Sequence, residues 1–108
     1  MVRLTVTLTP PTRSVQDLVD AFRFLMVSIR LEPKCVGCWV WTESDSSVHY
    51  VEEWSTEEDI RCRVGSDRFT SVLALLESVR DAPHVQFDFV STTRGLDYVE
   101  EVRQRAAR

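Results

Sequence analysis

The sequence predicts a single α+β domain in which four strands and two main helices follow the order β-α-β-β-α-β. Two patterns predict this order: apolar and polar side chains alternate in four short segments, and apolar side chains recur every three or four residues between them. A length of 108 residues is close to the commonest size of one domain. Apolar side chains on both faces of the central strands further predict that both faces of the sheet are covered.

The first strand and the first helix have the clearest patterns. Residues 2–9 alternate between apolar and polar side chains, which is typical of a half-buried strand, and Pro10 and Pro11 end it. Ser14 is the predicted N-cap of an amphipathic helix that carries an apolar stripe on one face. Pro33 sets its limit, since the residue before a proline is pushed out of the helical region.

Two strands joined by a short polar turn form the predicted centre of the sheet. Residues 35–42 and 48–54 are apolar-rich, and residues 43–47 supply turn residues, so the two strands should pair antiparallel. In the second of them, alternation places Tyr50 and Trp54 on one face and His49 on the other. Cys35 is predicted to share a face with the two tryptophans of its strand, and Glu52 and Glu53 are interpreted as solvent-exposed.

The second half of the chain contains the remaining helices and the last strand. Ser55 and Glu58 fit a capping box, which predicts a helix as far as Gly65, and a second helical piece carries Phe69. Residues 85–89 alternate as a fourth strand, and a final helix begins near Leu96. We therefore expect a main domain over residues 1–94 and a C-terminal helical extension over residues 95–108.

This element order is typical of the ferredoxin-like fold, a four-stranded antiparallel sheet with both main helices on one face. The opposite face of such a sheet lies bare unless a partner covers it. Because the central strands carry large apolar side chains on both faces, we predict a homodimer in which two sheets face each other as a barrel.

Charge and hydropathy exclude several kinds of partner. The net charge is −4 and the sequence pI is near 5.1, whereas a protein that binds a phosphate backbone needs a basic face. We therefore expect no nucleic-acid partner. No apolar run is long enough to cross a bilayer and no signal peptide is recognisable, so we expect no membrane partner and a cytoplasmic location.

The cysteines leave a metal or redox role open. Cys35 and Cys38 have the spacing of a metal half-site or a redox pair. A zinc site needs about four ligands, and only Cys62, His49 and His84 remain to complete one. The pair leads into a strand rather than a helix, which disfavours a thioredoxin-like dithiol. We therefore expect no metal and interpret these cysteines as small, partly buried thiols.

Three motifs resemble the antibiotic biosynthesis monooxygenase family over roughly residues 2–98. They are Glu53-Trp54 at the end of the third strand, Ser66 to Phe69 after a capped helix, and the segment 87–98, which looks like the tail of quinol monooxygenases. The resemblance implies a dimeric α+β barrel that oxidises a quinol or polyphenol-like aromatic substrate with dioxygen. It also implies that the reaction needs no cofactor, neither metal nor flavin.

The resemblance also implies a pocket between the sheet and the helices. Its predicted substrate-binding residues are Tyr50, Trp54, Phe69, Phe22 and Leu73. Most aromatic side chains on a half-buried strand are core residues, and Trp54 is also explained as a wedge between helix and sheet.

One residue departs from the family pattern. Arg63 lies where family members often have a histidine, and an arginine stays protonated at neutral pH, so it cannot accept a proton. We therefore assign it the catalytic role of an anchor for a substrate anion. Haem-degrading relatives have an aromatic residue at this position and a histidine about ten residues later, where this chain has Leu73, so haem chemistry by that route is not expected.

Three functions are consistent with these observations. The first is cofactor-independent oxygenation, with Arg63 holding a substrate oxygen. The second is a non-catalytic domain that binds a small ligand or serves as an accessory to another protein, because the usual histidine is absent. The third is a purely structural or regulatory dimer.

Overall fold

The computed structural model describes residues 1–107, which form four strands and four α-helices. The elements in chain order are β1 (Val2–Leu8), a 3-10 turn (Thr12–Ser14), α1 (Val15–Ile29), β2 (Cys35–Thr42), β3 (Val48–Trp54), α2 (Glu57–Val64), α3 (Phe69–Glu77), β4 (His84–Phe89) and α4 (Leu96–Ala106). The predicted order β-α-β-β-α-β is confirmed, although the second main helix is divided into α2 and α3, and α4 follows the last strand.

The four strands form one antiparallel sheet in the order β2-β3-β1-β4. In the two central pairings Val6 lies opposite Tyr50 of β3 and opposite Val85 of β4. The first strand is therefore central and the last strand is an edge, which confirms the ferredoxin-like α+β fold. The homodimer and the division into residues 1–94 and 95–108 remain predictions.

The core lies between one face of this sheet and the helices. The alternating side chains of β1 point into it, where they meet the buried stripe of α1 and residues from α2 and α3. Phe22 of α1 packs flat against Tyr50 of β3, with 4.5 Å between ring centroids. Burial of this apolar surface is the main favourable contribution to folding.

A β-bulge near the start of β2 corrects the predicted faces of that strand. The register shifts between Cys35 and Gly37, so Val36 is the extra residue. Cys35 consequently packs against the core on the same side as Cys38, and not beside Trp39 and Trp41. A strict alternation from Cys35 onwards was the wrong assumption, because a bulge moves every earlier side chain to the other face.

The first turn of α2 begins one residue later than the capping box predicts. Thr56 is the N-cap: its Oγ1 accepts a hydrogen bond from the backbone N–H of Asp59 at 3.2 Å. Its hydroxyl also donates to the Asp59 carboxylate at 2.8 Å. Thr56 and Asp59 thus take the places predicted for Ser55 and Glu58, and the acidic first turn stabilises the positive helix end.

The sheet face away from the helices carries a separate aromatic group. Trp41 stacks on His49 with 5.2 Å between ring centroids, and Trp39 lies over Gly37. This confirms that His49 faces away from the helices. No helix within residues 1–107 has the length and hydropathy needed to span a bilayer.

Candidate functional site

The most unusual side chain in the core is Glu52, which was expected to face solvent. It is 0% exposed and points from β3 into the helix-facing core between Tyr50 and Trp54. The expectation was wrong because Glu52 shares the face of these two aromatic residues, and the neighbouring Glu53 alone faces outward. The sequence does contain a signal for this: an acidic residue on the same strand face as two buried aromatic residues. Because an unpaired carboxylate is almost never buried, that position predicts a buried partner for Glu52.

Glu52 is buried because four hydrogen bonds end on its carboxylate. Arg63 donates from Nε to Oε1 and from Nη2 to Oε2, each at 3.0 Å. The Trp54 indole donates to Oε1 at 2.9 Å, and the Tyr50 hydroxyl donates a short hydrogen bond to Oε2. Each oxygen therefore accepts two bonds, which uses all four acceptor sites of a carboxylate. We call Glu52, Arg63, Tyr50 and Trp54 the buried tetrad.

Arg63 reaches this position because it lies in the last turn of α2, whose end at Gly65 sits over the sheet. Only 7% of the residue is exposed, and its guanidinium carbon lies 5.1 Å from the centre of the Phe69 ring. Burial favours the neutral form, but the hydrogen bonds and the charge of Glu52 outweigh burial and raise the pKa of Arg63 above its ordinary value. The guanidinium is therefore held as a cation by a planar two-bond pair.

Cys38 of β2 extends the network to the neighbouring strand. Its thiol donates to the Tyr50 hydroxyl at 3.5 Å between sulfur and oxygen. Burial is the main reason why the pKa of Cys38 is raised to about 12. Burial, followed by the charge of Glu52, also raises the pKa of Tyr50 far above its ordinary value. Both groups therefore stay protonated at neutral pH and act as donors rather than as bases or nucleophiles.

Two cavities lie beside the tetrad, between the end of α1 and the segment that joins α2 to α3. One of about 460 Å³ has Trp54 and Arg63 in its wall, and the other, of about 240 Å³, has Arg63 and Leu25. The ion pair of Arg68 with Glu32, at 2.6 Å, lies in the walls of both. These volumes are within the range of small-molecule sites or just below it.

The wall of the larger cavity carries both signs of charge. Lys34, Arg63 and Arg68 face the carboxylates of Glu32, Asp59 and Asp67, and the Trp54 ring supplies the apolar surface. A site of this kind fits a neutral polar aromatic compound or a weak acid better than a strongly charged phosphate ester.

The structure brings together some of the predicted pocket residues and separates others. Trp54 and Arg63 line the larger cavity, and Phe69 packs on Arg63. Tyr50 and Phe22 are each 0% exposed and fill the core beneath the cavity. Leu73 is 44% exposed, and among the described residues it lines neither of these two cavities. Substrate contact by all of these residues, and the anion-anchoring role of Arg63, remain predictions.

The histidines form no catalytic arrangement with the described residues around them. Ser47 Oγ lies 2.7 Å from His49 Nε2, but it also donates to Asp45 at 2.6 Å, while His49 Nδ1 faces the hydroxyl of Thr7. In a catalytic triad the carboxylate would orient the histidine and the serine would be free to attack. Here the aspartate binds the serine, so this cluster closes the turn between β2 and β3.

Metal ligation finds no support among residues 1–107, because no three His, Cys, Asp or Glu side chains there are close enough to hold one ion. Cys35 and Cys38 are free thiols on the core side of β2, and Cys62 is exposed on α2. His84 is exposed at the start of β4, as its position after Pro83 indicates.

No protein-family model matches the sequence, and no curated protein matches it significantly. Solved structures do match. A protein described as an antibiotic biosynthesis monooxygenase superposes with a TM-score of 0.69 at 16% identity, over 85% of this chain and 100% of its own. A candidate antibiotic biosynthesis monooxygenase of Deinococcus radiodurans superposes with a TM-score of 0.76 at 13% identity, over 88% of this chain and 97% of its own.

Rv0793 of Mycobacterium tuberculosis gives a TM-score of 0.74 at 12% identity, over 87% of this chain and 98% of its own. These TM-scores establish a shared fold, but at identities this low they do not establish a shared reaction. The superposition nevertheless covers 100%, 97% and 98% of these three compared chains. The chain is therefore similar in fold to the antibiotic biosynthesis monooxygenases.

Proposed function

We propose that this chain belongs to the antibiotic biosynthesis monooxygenase family and oxidises a quinol or polyphenol-like aromatic compound with dioxygen, without metal or flavin. The observation that carries the proposal is the cavity of about 460 Å³ that has both Trp54 and Arg63 in its wall. It offers an aromatic surface for a planar ligand beside a cation for an oxygen atom of that ligand.

Arg63 would act in this reaction through its remaining nitrogen. Its Nε and Nη2 donate to Glu52, and Nη1 donates no hydrogen bond to any of the residues 1–107. Nη1 is therefore the atom we assign to the substrate oxygen. Loss of a proton from a phenol leaves an anion that gives an electron to dioxygen more readily, and an adjacent fixed cation stabilises that anion.

The proton acceptor in this proposal is not Glu52, because all four acceptor sites of its carboxylate are occupied. Of the three carboxylates in the cavity wall, Glu32 is paired with Arg68, so Asp59 and Asp67 are the remaining candidates. Asp59 also accepts the Thr56 hydroxyl, which makes Asp67 the better placed of the two for proton transfer.

A second candidate function is a non-catalytic domain that binds a small ligand or acts as an accessory to another protein. One observation favours it: Glu52 already engages Arg63 through two parallel hydrogen bonds, so the charge of this arginine is largely neutralised before a ligand arrives. In that case the tetrad supports the cavity wall, and the cavity binds a ligand without converting it.

We also propose that two copies pair through the sheet face away from the helices. Trp39 and Trp41 are exposed there, next to the buried Val51. Exposed indole rings of this kind are enriched at protein interfaces. Sedimentation equilibrium of the wild type and of Trp41→Ser tests this, and a monomeric wild type would refute it.

Oxygen consumption with a panel of reduced quinols, without added metal or flavin, distinguishes the two functions. The informative variant is Glu52→Gln combined with Arg63→Met, because it removes the cation without leaving a buried carboxylate unpaired. The matched control is Arg61→Met, an exposed arginine on the same helix that pairs with Glu57.

We expect the double variant to lose oxygen uptake at least tenfold and to keep its circular dichroism spectrum, while the control keeps both. Quinol binding by the wild type measured by isothermal titration calorimetry, without any oxygen uptake, would favour the second candidate. No binding and no uptake across the panel would refute both.

A further inference from the structure

The helix-facing side of the edge strand β4 is left uncovered. Val85, Phe87 and Phe89 stand in register with the buried residues of β1 but are themselves exposed, Phe89 by 59%. In β1 the corresponding side chains lie under the helices. The helices therefore cover three strands of the sheet and stop short of the fourth.

Because no helix within residues 1–107 covers β4, an open groove lies between β4 and α2. Its volume is about 430 Å³, and Ile60, Val64, Phe87 and Phe89 form its apolar floor. Glu57 and Arg61 stand at its rim, where they form an ion pair with each other at 3.0 Å. An apolar groove along the edge strand of a sheet is a place where natural proteins put a covering helix or loop.

The chain carries one helix without a partner. Along α4, the apolar side chains Leu96, Val99 and Val102 recur every three residues on one face, and Val99 and Val102 are 48% and 46% exposed. Of the described residues, none in α4 is buried, and none belongs to the core. An amphipathic helix of this length is marginal alone and needs its apolar face covered.

Local interactions hold the start of α4, which contributes no residue to the core of its own domain. Arg94, in the segment after β4, binds Asp97 at 2.9 Å and Glu101 at 2.8 Å, and its guanidinium lies over the Tyr98 ring. These contacts fix the first two turns of α4 to the segment that follows β4. The described residues have a radius of gyration of 17.1 Å, against about 13 Å for a compact chain of ~100 residues.

We propose that α4 of one copy of this chain docks in the groove between β4 and α2 of a second copy. The observations that carry the proposal are an uncovered apolar groove, an uncovered apolar helix face of matching character, and an extended chain in which α4 contributes nothing to its own core. The exchange would be reciprocal, since a twofold pair uses each groove and each helix once. It needs a second copy, but it does not depend on the oxygenase proposal.

Cross-linking separates exchange between copies from folding back within one copy. In a Cys62→Ser background, which removes the exposed native thiol, Val99→Cys is combined with Val64→Cys and treated with a short bifunctional maleimide. Each cysteine alone in the same background is the control. The proposal predicts a covalent dimer on a denaturing gel for the pair and not for either single cysteine.

A covalently closed monomer, detected by mass spectrometry, would overturn the proposal because α4 would then cover its own groove. Absence of a cross-link would overturn it as well. A second pair, Val99→Cys with Val27→Cys, places the same helix against the exposed apolar face of α1. Preferential dimer formation by this pair would show that α4 docks on another surface, and would overturn the proposal.

Dissociation measured by sedimentation gives an independent test on the uncross-linked full chain. Val99→Asn with Val102→Asn should weaken self-association about tenfold or more, since two valines would no longer be buried. Glu100→Asn with Gln104→Asn, on the other side of α4, should leave it unchanged. Equal dissociation constants for the two variants would contradict the proposal, whatever the activity of either.

Discussion

Replacing Glu52 with glutamine tests whether the buried tetrad holds the fold together. The substitution keeps the size of the side chain and removes its charge. In the native protein four donors from Tyr50, Trp54 and Arg63 converge on the two carboxylate oxygens. The single amide oxygen can keep about half of these bonds, and the amide NH₂ faces donors. The cation of Arg63 is then buried without an anion.

The expected loss of stability follows from two estimates. Hydrogen bonds to charged groups contribute about 1.5–3 kcal/mol each, so losing the two bonds from Arg63 costs about 3–6 kcal/mol. Breaking one partner of a buried ion pair costs about 3–5 kcal/mol. We therefore expect Glu52→Gln to lower the free energy of unfolding by about 4 kcal/mol. Domains of this size have about 5–15 kcal/mol in total, so the variant should be close to its stability limit.

Urea denaturation followed by circular dichroism at pH 7 measures this loss. Glu53→Gln is the matched control, because Glu53 is the next residue, faces away from the core and pairs with the exposed Arg3 at 3.2 Å. A surface pair of this kind contributes about 1 kcal/mol or less. If Glu52→Gln lies within 1 kcal/mol of the wild type, the tetrad is not a significant source of stability and our reasoning is wrong.

Two further predictions concern β2. Gly37→Ala places a methyl group 2.3 Å from Cη2 of Trp39, so we expect a shifted tryptophan emission and a free energy of unfolding lower by about 1–3 kcal/mol. Gly95→Ala, where the nearest atom is 3.7 Å away, should change neither. Identical urea curves and emission spectra for the two variants would contradict this prediction. The pKa of Cys38 is raised to about 12, so only about one molecule in 10⁴ carries the reactive thiolate at pH 8. Iodoacetamide should therefore label Cys38 only in urea, whereas it should label the exposed Cys62 of the native protein within minutes. Mass spectrometry of the labelled protein measures both. Folding raises the pKa of Cys38, so its protonated thiol contributes to stability below the unfolded pKa of about 8.5, and this contribution is lost as the pH rises towards 12. Cys38→Ala should therefore reduce the fall in the free energy of unfolding at alkaline pH. Labelling of Cys38 in the native protein at pH 8 would refute the argument from burial.

The sequence patterns predict the element order and most element bounds because each element has its own periodicity. β1 and α1 are examples: Val2–Leu8 alternates without interruption, and the buried side chains of Val15–Ile29 recur every three or four residues. The face of Cys35 could not be predicted, because a bulge depends on how β2 pairs with β3 and leaves only a glycine as a local signal. The start of α2 was misplaced by one residue because Ser55 and Thr56 are both good caps.

The site was harder to predict than the fold. Arg63 was recognised as a departure from the family pattern, but its partner lies eleven residues earlier on another element, and no local rule joins the two. Tyr50 and Phe22 were expected to frame a pocket, whereas in the structure they are packed against each other in the core. Aromatic residues that line a cavity and aromatic residues that fill one have the same sequence pattern.

Each carboxylate oxygen of Glu52 already accepts two hydrogen bonds, which restricts the substitutions that the neighbouring position 63 can accept. A histidine at position 63, the residue that many members of the resembling family have there, offers at most one hydrogen bond to this carboxylate and reaches less far than arginine. The exchange would therefore have to be accompanied by an apolar or neutral residue at position 52. Arg63 and Glu52 are thus coupled, and we expect a histidine at position 63 to be tolerated in this chain only together with a second substitution at position 52.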